Sequence, residues 1–162
     1  MWNFYDMKRK VIALFENREE LHPLPGNSKF AEVYLPMESE GIPKIASPKA
    51  DFAAQFDETH LYIEVDKDQG VSHNLAKYFY IFDRMKRKPQ KVLVFHILGP
   101  GFLLSEHNYL FHRKLASFLA EKIEKAFKNE FEFRYVQSEP FLNTEEAVSW
   151  LSEKLVHMQG RC

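Results

Sequence analysis

The sequence predicts an α/β domain: a mixed central sheet with helices on both faces, in the order αβββαβαβα. Three observations carry this. Residues 51–56 and 60–66 alternate apolar and polar side chains with period 2, the pattern of two half-buried strands. Residues 92–98 (VLVFHIL) form a near-continuous apolar run, as in a central strand buried on both faces. The segments around them place apolar residues at helical spacing, and helices interleaved with strands pack as layers.

The elements follow in order. Asp6 is placed to cap a first helix carrying Met7, Val11, Leu14 and Phe15, which Pro23 and Pro25-Gly26 end. Phe30 to Leu35 alternates and reads as a first strand. Residues 36–48 hold three prolines and a glycine and read as a loop. Strands 51–56 and 60–66 come next. Ser72 or His73 opens a helix to about Lys88, with Leu75, Phe79, Phe82 and Met85 as its apolar stripe and Pro89 as its stop. Strand 92–98 ends at Gly99-Pro100-Gly101. Ser105 caps a long helix to about Lys128, with Phe111, Leu115, Phe118, Leu119, Ile123 and Ala126 on one stripe. Phe131 to Val136 reads as an edge strand. Asn143 or Thr144, with Glu146, opens a last helix presenting Val148, Leu151, Leu155 and Met158.

At 162 residues the chain reads as one domain with a substantial core; 45% hydrophobic and 15% aromatic residues exclude disorder. Its one cysteine, Cys162, excludes an internal disulfide and a cysteine-based zinc site. No signal peptide opens the chain, and no run approaches the ~18 apolar residues of a membrane span. A cytoplasmic protein without membrane contact is expected. The net charge of −1 is unevenly spread: −5 over residues 1–72, +7 over 73–128 and −3 over 129–162. A basic segment following a carboxylate-rich one suits a polyanion held near a metal.

The carboxylates are Asp51, Glu64 and Asp66. A two-residue turn at Asp57-Glu58 pairs Phe52 with Ile63 and Ala54 with Leu61, and puts all three acids on one face. Asp51 then opposes Glu64, with Asp66 diagonal to it. Residues directly opposed sit roughly 4.5–5.5 Å apart at Cβ, and like charges there destabilise the sheet. A cation relieves that repulsion, and oxygen-only ligands suit Mg²⁺ or Mn²⁺. A solvated hairpin face with splayed carboxylates is the alternative.

Helix, three-stranded meander, helix, strand is also the core order of the PD-(D/E)XK nuclease superfamily, the restriction-endonuclease-like fold. Residues 5–100 resemble it, with 101–162 as a helix–strand–helix extension. Pro48-Lys49-Ala50-Asp51 resembles its first acidic motif, and Ile63-Glu64-Val65-Asp66-Lys67 its second. The resemblance implies metal-dependent hydrolysis of phosphodiester bonds in DNA, with Mg²⁺ or Mn²⁺ held by Asp51, Glu64 and Asp66. It also implies a homodimer, since many nucleases of this fold dimerise.

One departure stands out: Asp66 occupies the position of the family's Lys. Lys77, about one turn into the following helix, is the expected substitute, because this superfamily can move its Lys there. Gln69, Asn74 and Tyr78 lie close enough in sequence to position a phosphate or water. The alternative is a catalytically inactive domain of this fold that binds nucleic acid or protein. A third possibility is an unrelated α/β domain, distinguished by whether strands 51–56 and 60–66 run antiparallel beside strand 92–98.

Arg84, Lys86, Arg87, Lys88 and Lys91 are the expected DNA-backbone contacts, with Arg113 and Lys114 as further ones; such contacts carry no base preference. Glu16 and Glu20 are remote candidate ligands. Among the histidines, His73 is expected nearest the site and His96 in the core, hydrogen-bonded. None forms a metal motif.

Overall fold

The hairpin forms in the register that its alternation requires. In the computed structural model, which describes residues 1–35, 48–68 and 70–159, strands β2 (Lys49–Phe56) and β3 (Thr59–Asp66) pair antiparallel. Phe52 faces Ile63, Ala54 faces Leu61, and Phe56–Thr59 closes a turn in which Asp57 takes φ +48. Asp tolerates that left-handed conformation better than most residues. Residues 36–47 of the expected loop, Gln69 and Cys162 lie outside the described residues.

Strand β1 (Ala31–Tyr34) pairs antiparallel with β2, while β4 (Lys91–Leu98) runs parallel to β3 and β5 (Glu132–Pro140) parallel to β4. The result is an open, mixed five-stranded sheet in the order β1-β2-β3-β4-β5. Helices α2 (Val71–Arg84) and α3 (Glu106–Phe127) pack together over one face. Helices α1 (Phe4–Glu16) and α4 (Thr144–Gln159) cover the other. Alternate residues of β4 accordingly enter two cores: Val92, Val94 and Leu98 pack under α2 and α3, Leu93, Phe95 and Ile97 under α1 and α4.

Local chemistry explains the element ends. Asn3, rather than Asp6, caps α1 by accepting the Asp6 N–H at 3.1 Å. Asp6 instead sits in the first turn, where a carboxylate favours the helix dipole, and pairs with Arg9 and Lys10. Ser105 caps α3 as expected, and the Asn143 side chain accepts the Glu146 N–H at 3.0 Å at the start of α4.

Two helical stripes differ from expectation. Helix α2 buries Val71, Leu75, Tyr78, Ile81 and Phe82, leaving Phe79 half exposed. It ends at Arg84, before Lys88, because Met85 turns extended and enters the core while Glu58 O accepts the Gln90 N–H at 2.9 Å. In α3 only Ala116, Ile123 and Phe127 are fully buried; Phe111, Phe118 and Ala126 face outward. That helix carries apolar residues on two sides, and the side of Ala116, Ile123 and Phe127 is the one that packs inward.

Candidate functional site

The acidic cluster forms where β2 and β3 part company. Their ladder ends at the Phe52–Ile63 pair. One residue on, the Asp51 carboxylate takes the place of a strand acceptor: Oδ2 accepts the Val65 N–H at 2.8 Å. Asp51 is therefore aimed at the backbone between Glu64 and Asp66, not stacked face-on against Glu64. Burial raises its pKa, opposed by the Val65 N–H and the Lys77 charge.

Glu64 is 3% exposed. Lys77 Nζ donates to its Oε1 at 2.7 Å, and the Tyr78 hydroxyl donates to the same oxygen. Burial dominates and pushes the Glu64 carboxyl up to about 7, with Lys77 pulling the other way. The Tyr78 phenol is pushed well above its ordinary value by burial and by that carboxylate. Lys77 spends its other two protons on Lys49 O at 2.8 Å and Asn74 Oδ1 at 3.0 Å, so all three ammonium donors are used.

Asn74 joins the two halves of the site. Its amide donates through Nδ2 to Asp66 Oδ2 at 3.1 Å. The same carboxylate oxygen meets His96 Nε2. His96, fully buried, places Nδ1 2.9 Å from the Tyr135 hydroxyl, which donates to Gln137 Oε1 at 3.3 Å. Burial raises the Tyr135 pKa. A polar chain thus crosses the α2–α3 face of the sheet: Tyr78, Glu64, Lys77, Asn74, Asp66, His96, Tyr135, Gln137. The amide nitrogen of Gln137 is buried without a partner among the described residues.

Gly70 makes room for this arrangement. Its φ is +111°, and an added Cβ would stand 2.6 Å from Asp66 Oδ1. A side chain there is excluded twice, by conformation and by space.

Several expected residues meet here. Asp51, Glu64, Asp66 and Lys77 come together, with Asn74 and Tyr78 beside them. Asp66, expected as a third metal ligand, is engaged instead by Asn74 and His96. Among the described residues no three carboxylate, imidazole or thiol groups converge as a metal-ligand set. His96, rather than His73, is the imidazole at the site; His73 is exposed. Glu16 and Glu20 stay with α1 and the turn after it, away from the α2–α3 face. Gln69 lies outside the described residues.

The basic segment is at the other end of the sheet. Lys91 pairs with Thr59, at the start of β3, whereas Asp66 pairs with Leu98. Seven residues of strand separate them, roughly 23 Å at 3.3 Å per residue. Arg84 stacks on the Tyr80 ring, Lys88 pairs with Glu130, and Lys91 with Glu132. Lys86 and Arg87 fall in the same bend beyond α2. Among the described residues, cations toward the carboxylate end include Lys77 itself, Lys49 at the start of β2 and Lys67 just after β3. Arg113, bonded to Glu139 of β5, also lies toward that end.

Sequence reading missed Gly70 and Tyr135 and took His96 as core alone. Gly70 had a signal, a glycine between a strand and a helix; Tyr135 and His96 had none. No protein-family model, curated protein or solved structure matches this chain.

Proposed function

We propose that this protein is a metal-dependent phosphodiesterase acting on DNA, with a PD-(D/E)XK-like site built on Asp51, Glu64 and Lys77. The observation that carries the reading is Lys77 Nζ at 2.7 Å from Glu64. A lysine absent from its usual strand position is supplied from α2. The strand directions agree: β2 and β3 are antiparallel and β4 lies beside β3.

The donor set fits a hard divalent cation. Asp51 Oδ1 and Glu64 Oε2 have no hydrogen-bond partner among the described residues, while their sister oxygens are fixed by Val65 and by Lys77 with Tyr78. Mg²⁺ is usually held by one or two carboxylates, with water and substrate oxygens completing its shell. Two acidic ligands are therefore enough, and Asp66 serves as an anchor. When bound, Mg²⁺ or Mn²⁺ supplies a polarised phosphoryl oxygen and a water of lowered pKa. Lys77 contributes a fixed cation beside Glu64, where a phosphoryl group gains negative charge, and its three bonds hold it there without reorganisation. Asn74 accepts from Lys77 and is itself tied to Asp66.

One observation favours a second reading. Glu64 is buried and already neutralised in place by Lys77 and Tyr78. A carboxylate so held is a weaker metal ligand, which suits a domain of this fold that binds without cutting. Cleavage of plasmid and single-stranded DNA with Mg²⁺, Mn²⁺ or EDTA decides between them. Metal-dependent cutting lost in both Asp51→Ala and Lys77→Met supports the nuclease. Equal cutting by both variants removes the site assignment, and no cutting by wild type with either metal turns the reading to the binding module.

A further inference from the structure

A cavity of about 430 Å³ opens between the last turns of α4 and the sheet. It lies on the α1–α4 face, at the end where Lys91 pairs with Thr59, away from the carboxylates. Its size falls within the roughly 300–1,000 Å³ of small-molecule sites. Strand alternation builds its floor: Leu93 and Phe95 of β4 and Val136 of β5 point to this face, with Phe56 and Met158 beside them. The same alternation brings Lys91 and Arg134 to the cavity, and α4 adds Lys154 and His157. Among the described residues no carboxylate lines it. We propose that this cavity binds a small amphiphilic carboxylate, its apolar body on Leu93, Phe95 and Val136 and its head held by Arg134 and Lys154.

Charge and shape together select that occupant. Glu132, next to the cavity, is 2.6 Å from Arg134 Nε and 3.4 Å from Lys91 Nζ, so one carboxylate offsets two cations. Lys154 makes no ion pair among the described residues; its Nζ lies 5.7 Å from the Trp150 ring centroid. His157 pairs with Glu153 at 3.8 Å and is 71% exposed, so it stands at the rim. The surplus is positive and small, which suits one anionic head rather than several. Arg134 uses only Nε among the described residues, which leaves its two terminal nitrogens open. Two parallel N–H donors of a guanidinium match the two oxygens of a carboxylate. The floor matches the other half of the ligand: an apolar body removes Leu93, Phe95 and Val136 from water, whereas a nucleic-acid backbone needs only the positive charge and leaves that floor wet.

This site is independent of the proposed hydrolysis, since it lies on the other face of the sheet from Glu64 and Lys77. Calorimetric titration of the full chain with octanoate, decanoate and dodecanoate tests it, with dodecyltrimethylammonium as the cationic control. Affinity is expected to rise by about fourfold for each added methylene, the ordinary gain for burying one. Arg134→Glu and Lys154→Glu should each weaken dodecanoate binding by about tenfold or more, with unchanged far-UV circular dichroism. Glu132→Gln, which releases Lys91 and Arg134, should tighten it. In methyl NMR spectra of the wild type, dodecanoate should shift the Met158 signal and leave that of Met7, in the core under α1, in place. No binding of dodecanoate overturns the proposal, and so does equal binding of the cationic control. Binding that ignores both charge reversals, or that leaves Met158 unshifted, overturns it as well.

Discussion

The Asp51 carboxylate accepts the Val65 N–H at 2.8 Å, immediately beyond the last β2–β3 ladder pair. One side chain thus does two things: it ends the ladder without leaving a donor orphaned, and it fixes the orientation of its second oxygen. Asp51→Ala should leave the Val65 N–H short of a partner and cost roughly 1–3 kcal/mol, the penalty of an unsatisfied buried donor. Asp51→Asn keeps an acceptor and should recover most of that stability while still failing to cleave DNA. Urea unfolding of both variants checks this. Equal destabilisation by Ala and Asn would mean that the hydrogen bond to Val65 is not what matters.

Lys77 and Glu64 are both largely shielded, at 13% and 3% exposure. Removing one partner strands the other. Lys77→Met should therefore destabilise by about 3 kcal/mol, the scale for breaking a buried pair. The double variant Lys77→Met/Glu64→Gln removes the stranded charge and should be more stable than Lys77→Met alone. Neither should hydrolyse DNA. A double-mutant cycle by denaturant unfolding measures the coupling; strictly additive losses would show that the pair does not act as a unit.

The raised Glu64 carboxyl sets a pH dependence. Its folded value of about 7 stands above the ordinary 4.5, so the native state holds more protons than the unfolded chain between those limits. Stability from this group is full below pH 4.5 and lost as pH rises through about 7, a change on the order of 3 kcal/mol for the burial-driven shift. Asp51, also raised by burial, acts in the same direction. Thermal melts in EDTA should show Tm falling across this window for wild type and less so for Glu64→Gln. If Asp51 and Glu64 hold Mn²⁺, adding it near pH 7 should restore stability, because binding favours the ionised carboxylate. No change on adding Mn²⁺ argues for the binding-module reading.

The hairpin was legible because strand periodicity is 2 and a short turn leaves few registers that bury both apolar sets. Lys77 was legible because α2 begins just after β3 and a helix returns a side chain to the same face every three or four residues. His96 was not. It sits in an apolar run that alternates between two cores, and it meets Asp66 only because β4 lies parallel to β3. Tyr135 reaches the site through another parallel pairing, 39 residues further on. Such long-range contacts leave no local pattern. The placement of the basic segment follows from connectivity: α2 leaves the end of β3 and must return to the beginning of β4, carrying residues 84–91 away from the carboxylates. On α3 both sides are apolar enough to be buried, and periodicity alone does not say which side is.

That separation of charge from carboxylates has a consequence for substrate length. Lys86, Arg87 and Lys88 lie in the bend that leads into β4, at the end of the sheet where Lys91 stands roughly 23 Å along the strands from the Asp66 level, so a short oligonucleotide centred on the site does not reach them. Replacing all three with Ala should leave cleavage of such oligonucleotides unchanged. On long DNA the same variant should bind more weakly, with a salt slope reduced by up to about one per lost phosphate contact. Fluorescence anisotropy with short and long duplexes across a salt series checks it. Equal losses on both lengths would place the backbone contacts nearer the carboxylates than the fold allows.

Gly70 offers the sharpest test of the Asp66–His96 contact. Gly70→Ala would force a left-handed backbone on a residue with a Cβ and drive that Cβ to 2.6 Å from Asp66 Oδ1. Strain of this kind costs on the order of 1–3 kcal/mol, and the flexible carboxylate is the group that can yield. Asp66 should swing away, releasing His96 Nε2 and Asn74. The His96 ring then loses the carboxylate beside Nε2, so its ring NMR chemical shifts should differ from those of wild type. Lys77 keeps Glu64 and the Lys49 carbonyl, so the loss in DNA cleavage should be smaller than that of Lys77→Met. Unchanged His96 ring chemical shifts in a destabilised Gly70→Ala would mean that Asp66 holds its place and the strain is relieved in the turn.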